Sequence, residues 1–176
     1  MLVSILKSDK INLRHTEDDA DKNNALLLCA PIKGRIIELQ EAGDTLFCEG
    51  KFGKGAAIIP ETNLVVAPTD GVVESISKKL NAITIKGKNG AEVFIHIGVD
   101  TGEMEGKVFE TFVNVGDSVR CGEPLIEFDT NAIKISGYDL TVFMTVINSE
   151  DYALVEAVLE NAAEQKPFIK ITKTES

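Results

Sequence analysis

The sequence predicts an all-β fold, a sandwich or barrel of short strands closed by one short C-terminal helix. Three observations predict it. From residue 25 the chain is written in short apolar runs: LLLCAP, GRIIEL, AAIIP, LVVAP, GVVESI, AITIKG, AEVFIHIGV, EPLIEF and DLTVFMTVI. They are rich in β-branched residues and bounded by glycine, proline or asparagine, which are strand and turn signals. Strands at this regular spacing suit a sandwich or a barrel. Asn89-Gly90 separates two of the runs, and that dipeptide is the strongest short hairpin cue. The sequence also echoes itself. LLLCAPIKGRII at 26–37 and NLVVAPTDGVV at 63–73 share an apolar run, Ala-Pro, two residues, Gly and β-branched residues. That repetition, a duplicated hybrid motif, points to two similar halves.

Taken in order, residues 1–24 are expected to be a mobile arm, because KSDKINLRHTEDDADKNN is polar and charged throughout. His15 lies in it with no apolar neighbour to bury it, and no functional role is expected there. Residues 25–176 form the single folded domain. VNVGDSVRCGEPLIEF adds a turn–strand–turn–strand stretch. SEDYALVEAVLENAAEQ, residues 149–165, is the expected helix. Ser149 is its N-cap, acidic residues fill its first turn, and apolar residues stand at 154, 155, 158 and 159. After Pro167, FIKI is a last strand.

Composition narrows the function. The chain has 176 residues, enough for one domain with a sizeable core. With 6% aromatic residues and no tryptophan, that core is mainly aliphatic. A net charge of −10 excludes a nucleic-acid partner, which requires a basic surface, and suits docking onto basic proteins. Cys29, Cys48 and Cys121 are odd in number and widely spaced, so reduced thiols are expected rather than a disulfide framework or a zinc ribbon. The six-residue apolar start has no basic region before it and is not a signal peptide. No stretch approaches the ~20 apolar residues of a membrane helix. A cytoplasmic protein, not embedded in a membrane, is expected.

One residue carries the chemistry. In VFIHIGV, residues 93–99, strand alternation puts Val93, Ile95, Ile97 and Val99 on an apolar face and Phe94, His96 and Gly98 on the other. Gly98 leaves open space beside the imidazole for a partner backbone or a phosphate. Strand logic alone favours a plain hydrogen-bonded histidine on a half-buried surface.

The longer string FIHIGVDTGEMEG resembles the active-site segment of the glucose-type IIA family of the bacterial sugar phosphotransferase system. There a histidine is followed by an aliphatic or aromatic residue, glycine, an aliphatic residue, aspartate and threonine; here these are His96, Ile97, Gly98, Val99, Asp100 and Thr101. APIKG and APTDG look like the family's Ala-Pro-x-x-Gly segments. VNVGDSVRCGEPLIEFD resembles its later turn-and-strand stretch, and LTVFMTVINSEDY its closing region. The match runs collinearly over roughly residues 26–173. It implies an antiparallel β-sandwich with a duplicated motif and no cofactor. It further implies that His96 accepts a phosphoryl group from the phosphocarrier protein HPr and passes it to a IIB domain of a sugar permease. The residue type suits this, since a neutral imidazole near pH 7 offers a nucleophilic nitrogen while its other nitrogen is held by a hydrogen bond. Phosphoryl transfer needs positioning and charge stabilisation. A shallow apolar patch including Phe94 and Ile97 would serve as docking surface and exclude water.

The chain departs from that pattern. Asn81 in KKLNAITIKG stands where the family has a second histidine; its amide donates a hydrogen bond but carries no charge. Lys79 replaces a small hydroxyl residue, Lys54 in FGKGAAI stands where an acidic residue is usual, and Gly102 replaces an apolar residue. Lys54, Lys79 and Asp100 are therefore speculative phosphate neighbours. The alternative is a degenerate, non-transferring protein that binds regulated enzymes or transporters.

Other motifs fail. GKFGKGA is no phosphate loop, since Gly55 follows Lys54 where Ser or Thr is needed and Cys48 occupies the first glycine's place. His96 and Asp100 would lie about 13 Å apart on a strand, and one histidine is a poor start for zinc, so no metal is expected. A lipoyl-type domain would need a modified lysine on a hairpin, and DTNAIK lacks its signature.

Overall fold

The computed structural model describes residues 25–105, 107–158 and 166–174. The expected mobile arm, residues 1–24, lies outside the described residues. The apolar runs form strands β1 (Ala25–Cys29), β2 (Gly34–Ile37), β3 (Lys54–Pro60), β4 (Leu64–Val66), β5 (Gly71–Ile76), β6 (Ala82–Gly87) and β7 (Glu92–Val99). They continue as β8 (Phe109–Thr111), β9 (Ser118–Val119), β10 (Pro124–Phe128), β11 (Asp139–Val146), β12 (Tyr152–Ala157) and β13 (Pro167–Lys173). Two short helices intervene, α1 (Thr45–Cys48) and α2 (Thr130–Ile135). Each has an aspartate N-cap: Asp44 accepts from the amides of Leu46 and Phe47, Asp129 from that of Ala132.

The strands make a seven-stranded sheet in the order β2-β3-β11-β7-β6-β5-β9 and two three-stranded sheets, β1-β13-β12 and β4-β10-β8. The pairings are antiparallel. Between the layers lies an aliphatic core, fed from the large sheet by Ile58, Ile83, Ile95 and Val142, from β10 by Leu125 and from β13 by Phe168. Burying each such side chain contributes roughly 1.5–3 kcal/mol. The opposite face of the large sheet carries a smaller cluster around Ile37, Leu39, Phe47, Ala57 and Phe143.

The sequence echo has a structural counterpart. Both copies fold as strand, Ala-Pro turn, strand: β1 into β2, and β4 into β5. The two turns are joined reciprocally. The amide of Cys29 donates to the carbonyl of Pro68 (2.8 Å), and that of Val66 to the carbonyl of Pro31 (2.8 Å). Cys29 and Val66 are the residues before Ala-Pro in the two copies, so the bonds are those of a local two-fold arrangement. The repeated glycines share one cause. A Cβ on Gly34 would overlap the carbonyl of Ile59, and a Cβ on Gly71 that of Lys86. Each copy leads into a hairpin, β2-β3 or β5-β6, on opposite flanks of the central β11-β7 pair.

Two expectations need correction. Over the described part of the expected C-terminal helix, residues 149–158, no α-helix forms. Ser149–Asp151 is one 3-10 turn and Tyr152–Ala157 is strand β12; residues 159–165 lie outside the described residues. Pairing decides it, with Leu154 opposite Thr172, Val155 opposite Ile171 and Ala157 opposite Ile169. Hydrogen bonds from a distant strand override helical spacing. Val99 does not share the core face of β7. Gly98 takes a left-handed conformation (φ 76°), and the register with β11 slips between Asp139 and Val142, so Val99 packs with the smaller cluster. Cys29 and Cys121, 92 residues apart in sequence, act on each other, drawing the Cys121 pKa down and, with burial, pushing that of Cys29 up. All three cysteines are free thiols.

Candidate functional site

His96 lies near the centre of the large sheet, flanked by Ala82 on β6 and Phe143 on β11. Its face carries the smaller cluster, which gives it an aromatic wall. The ring centroids of Phe47, Phe94 and Phe143 stand 5.8, 6.2 and 6.3 Å from that of His96. Phe47 stacks on Phe143 at 4.1 Å, and Phe52 lies 4.8 Å from Phe47 and 5.2 Å from Phe94. Helix α1 delivers Phe47 into this wall, and the Asp44 carboxylate both caps the helix and acts electrostatically on His96.

The other side of the imidazole is polar. The β5-β6 connection, Ser77–Asn81, is a tight loop closed by Ser77 N–H to Ala82 O and Leu80 N–H to Ser77 O (both 2.9 Å). Asn81 is buried at its end. The Asn81 Nδ2 group lies 3.4 Å from His96 Nε2 and donates to Thr101 Oγ1 at 3.2 Å. Ser77 Oγ donates to Asn81 Oδ1 at 2.8 Å. Thr101 Oγ1 donates to the carbonyl of Ile97. Among the described residues, the non-glycine positions with positive φ are Leu80 (60°) and Asp100 (56°). They immediately precede Asn81 and Thr101. Such conformations are costly for a residue like leucine and cluster at functional sites.

The two imidazole nitrogens differ. Nδ1 is shut from solvent, with no hydrogen bond of good geometry. The nearby Gly98 backbone favours a proton on the ring without a well-aligned bond forming. Burial is the dominant influence and pushes the His96 pKa below its ordinary 6.5; Gly98, Asp44 and Asp100 oppose it in that order. The ring is therefore neutral at pH 7, with Nε2 as the nitrogen facing a hydrogen-bond donor.

The structure brings His96 and Asn81 together and sets Phe94, half-buried, against the ring. Ile97 is a correction: it is 0% exposed in the aliphatic core and cannot belong to a docking surface, because it points to the opposite face from His96. Gly98 is another. The space expected beside it is filled, and a Cβ there would overlap Thr101 Cγ2, so glycine serves the left-handed turn and close packing rather than access. Asp100 acts on the ring through charge. Lys79 is exposed and donates to the carbonyl of Met104 at 3.3 Å, tying the Ser77–Asn81 loop to the Thr101–Glu103 turn. Lys54 lies three residues along β3 from Ala57, the residue in register with Phe143, and lines a cleft on the far side of Phe47 with Leu39, Cys48 and Val155. At about 3.3 Å per residue this sets it well away from the imidazole. A Cβ on Gly102 would stand 3.7 Å from Asn81 Nδ2 without clash, so glycine leaves the amide uncovered there.

Sequence reasoning missed Asp44, Phe47, Phe52, Ser77 and Phe143. The Asp44-Thr45 cap was a readable signal for α1; the convergence of residues from distant strands was not.

An antiparallel β fold with a neutral, half-buried imidazole between an aromatic wall and a buried amide defines a class: small β domains that present a histidine from the middle of a sheet. The family described as the phosphoenolpyruvate-dependent sugar phosphotransferase system, EIIA 1, matches residues 26–152. The chain is 42% identical over 146 residues to the beta-glucoside-specific EIIBCA component of Dickeya chrysanthemi, covering 83% of this chain and 23% of that protein. It is 37% identical over 132 residues to the glucose-specific EIIA component of Bacillus cereus, covering 75% of this chain and 79% of that one. Among solved structures, glucose permease IIA from Mycoplasma capricolum superposes with a TM-score of 0.73 at 28% identity, over 85% of this chain and 97% of that one. The chain belongs to the sugar phosphotransferase EIIA 1 family. It spans less than a quarter of the length of multi-component relatives such as the Dickeya protein. Among the described residues no helix is long and apolar enough to cross a membrane.

Proposed function

We propose that this chain is a cytoplasmic phosphocarrier in which Nε2 of His96 accepts a phosphoryl group from HPr and passes it to the IIB domain of a sugar permease. One observation carries the assignment of the atom. Nδ1 is sealed inside the protein, whereas Nε2 faces the Asn81 amide. A lone pair on Nε2 attacks phosphorus as the donor's N–P bond breaks, and the reverse exchange delivers the group onward. Family membership supports the chemistry, and the His96 pKa, held below 6.5 by burial, supports a ring that is unprotonated when it attacks.

The surroundings have distinct tasks in this reading. The wall of Phe47, Phe52 and Phe94 excludes water from a hydrolysis-prone N–P bond, and Phe94 and the half-exposed Leu46 of α1 offer apolar surface to a carrier. Asn81 gives phosphoryl oxygens a neutral hydrogen-bond donor in place of a second histidine. Lys79, on the loop that carries Asn81, is favoured over Lys54 as the phosphate neighbour in this reading. A net charge of −10 favours a basic docking face on the donor.

The test is incubation with phosphoenolpyruvate, enzyme I and HPr, followed by addition of a IIB domain. Wild-type chain takes up acid-labile phosphate and loses it to IIB, while His96→Gln takes up none. An unlabelled wild-type chain beside a working control IIA would sink the proposal and leave a non-transferring binding protein.

A further inference from the structure

We infer that Ser77 is a positioning residue that fixes the direction of the Asn81 amide and, through it, the tautomer of His96. The inference deepens the phosphocarrier reading and rests on it for its catalytic meaning, but its structural content is tested on the unphosphorylated chain.

The argument is a count of hydrogens. Ser77 Oγ accepts from two backbone amides, Asn81 N–H and Ala82 N–H, both at 3.1 Å. Its lone pairs are thereby taken, and its single hydrogen is left for the Asn81 side chain 2.8 Å away. Only an oxygen can receive that hydrogen, so Oδ1 is the end of the amide that faces Ser77. Nδ2 must then face Thr101 and His96. The Thr101 hydroxyl hydrogen is committed to the Ile97 carbonyl, which accepts only, so Thr101 Oγ1 accepts from Nδ2. The second Nδ2 hydrogen points at His96 Nε2, 3.4 Å away. Nε2 must accept it. The ring proton therefore sits on Nδ1, beside the Gly98 backbone, and Nε2 carries the lone pair.

Every step is set by an atom that can play one role only. A reversed amide would place an NH2 group against a hydroxyl with no free lone pair and an oxygen against a threonine whose hydrogen is already spent. A protonated ring would place N–H against N–H. The loop is thus built so that a neutral residue at position 81 keeps Nε2 in its nucleophilic form. The same Nδ2 hydrogen faces the phosphoryl oxygens once Nε2 is substituted.

The experiment is nitrogen-15 NMR of the imidazole in wild type, Ser77→Ala, Ser77→Thr and Asn81→Asp, with phosphorylation rates measured alongside. Wild type shows His96 protonated on Nδ1 with an unprotonated Nε2. Ser77→Ala mixes the two tautomers, and Ser77→Thr, which keeps the hydroxyl, restores the wild-type signature. Asn81→Asp places an acceptor opposite Nε2 and moves the proton there. In Ser77→Ala the maximal rate of phosphorylation by HPr falls roughly tenfold, the equivalent of about one lost hydrogen bond, while the half-saturating HPr concentration is unchanged. A wild-type ring protonated on Nε2 would overturn the inference without any variant, as would a Ser77→Ala spectrum identical to wild type. Failure of the phosphocarrier reading is separately visible: the wild-type tautomer stands and no phosphate is taken up.

Discussion

The two Ala-Pro copies start alike and end unlike. Both fold as strand, turn, strand around a glycine pressed against a neighbour's carbonyl, and they bond to each other reciprocally. After the first copy, the chain runs through Leu39 and a capped helix that supplies Asp44 and Phe47. After the second, it makes a short loop that supplies Ser77 and Asn81. The imidazole of His96 lies between the two products, apolar from one half and polar from the other. The shared parts build the scaffold, and the parts that differ build the site.

Four measurements would break or sharpen that contrast. Phe47→Ala removes a 2% exposed ring from the first half's wall and should cost about 3–5 kcal/mol in denaturant unfolding, with the His96 pKa moving back toward 6.5 as the ring is uncovered. Gly34→Ala and Gly71→Ala should cost about 3 kcal/mol each, and nearly equally, since both set a methyl group against backbone. A large cost at one and none at the other would undo the structural equivalence of the copies. Asn81→Ala should cost less, about 1–2 kcal/mol, while slowing phosphorylation more than Phe47→Ala does, because the second half's contribution is directional. The smallest effect is on pH dependence. The folded-state pKa of His96 lies below the unfolded 6.5, so the unfolded chain binds more protons as pH falls. Stability from the neutral ring is full above about pH 6.5 and declines as pH falls through the folded pKa. His96→Asn should flatten that part of the profile, and a profile identical to wild type would show that burial does not hold the ring neutral.

Much of this was legible in sequence because strands and turns have local signatures. The β-branched runs became strands, Asn89-Gly90 closed the β6-β7 connection, and the Ala-Pro echo marked real structural copies. His96 and Asn81 were found by resemblance, and the structure sets them 3.4 Å apart. What was not legible depends on pairing at a distance. The 149–165 stretch has helical spacing, yet its first half is claimed by β13, whose hydrogen bonds no local window contains. Ile97 was assigned both to the core stripe and to docking, and strand alternation alone settles that for the core. The slip at Gly98 shows where alternation stops being a guide. Lys54 was placed by alignment to an acidic position, but β3 carries it along its strand and away from the ring. Ser77 has no motif at all; its importance is visible only once two backbone amides and an asparagine oxygen are seen around one hydroxyl.

The first and last described strands lie side by side, with Ala25 opposite Thr172. Entry and exit of the polypeptide are thus separated by about one strand spacing, some 5 Å. A domain with such neighbouring ends can be spliced into a host loop, or circularly permuted through a short bridge from 173 to 25, without stretching its sheets.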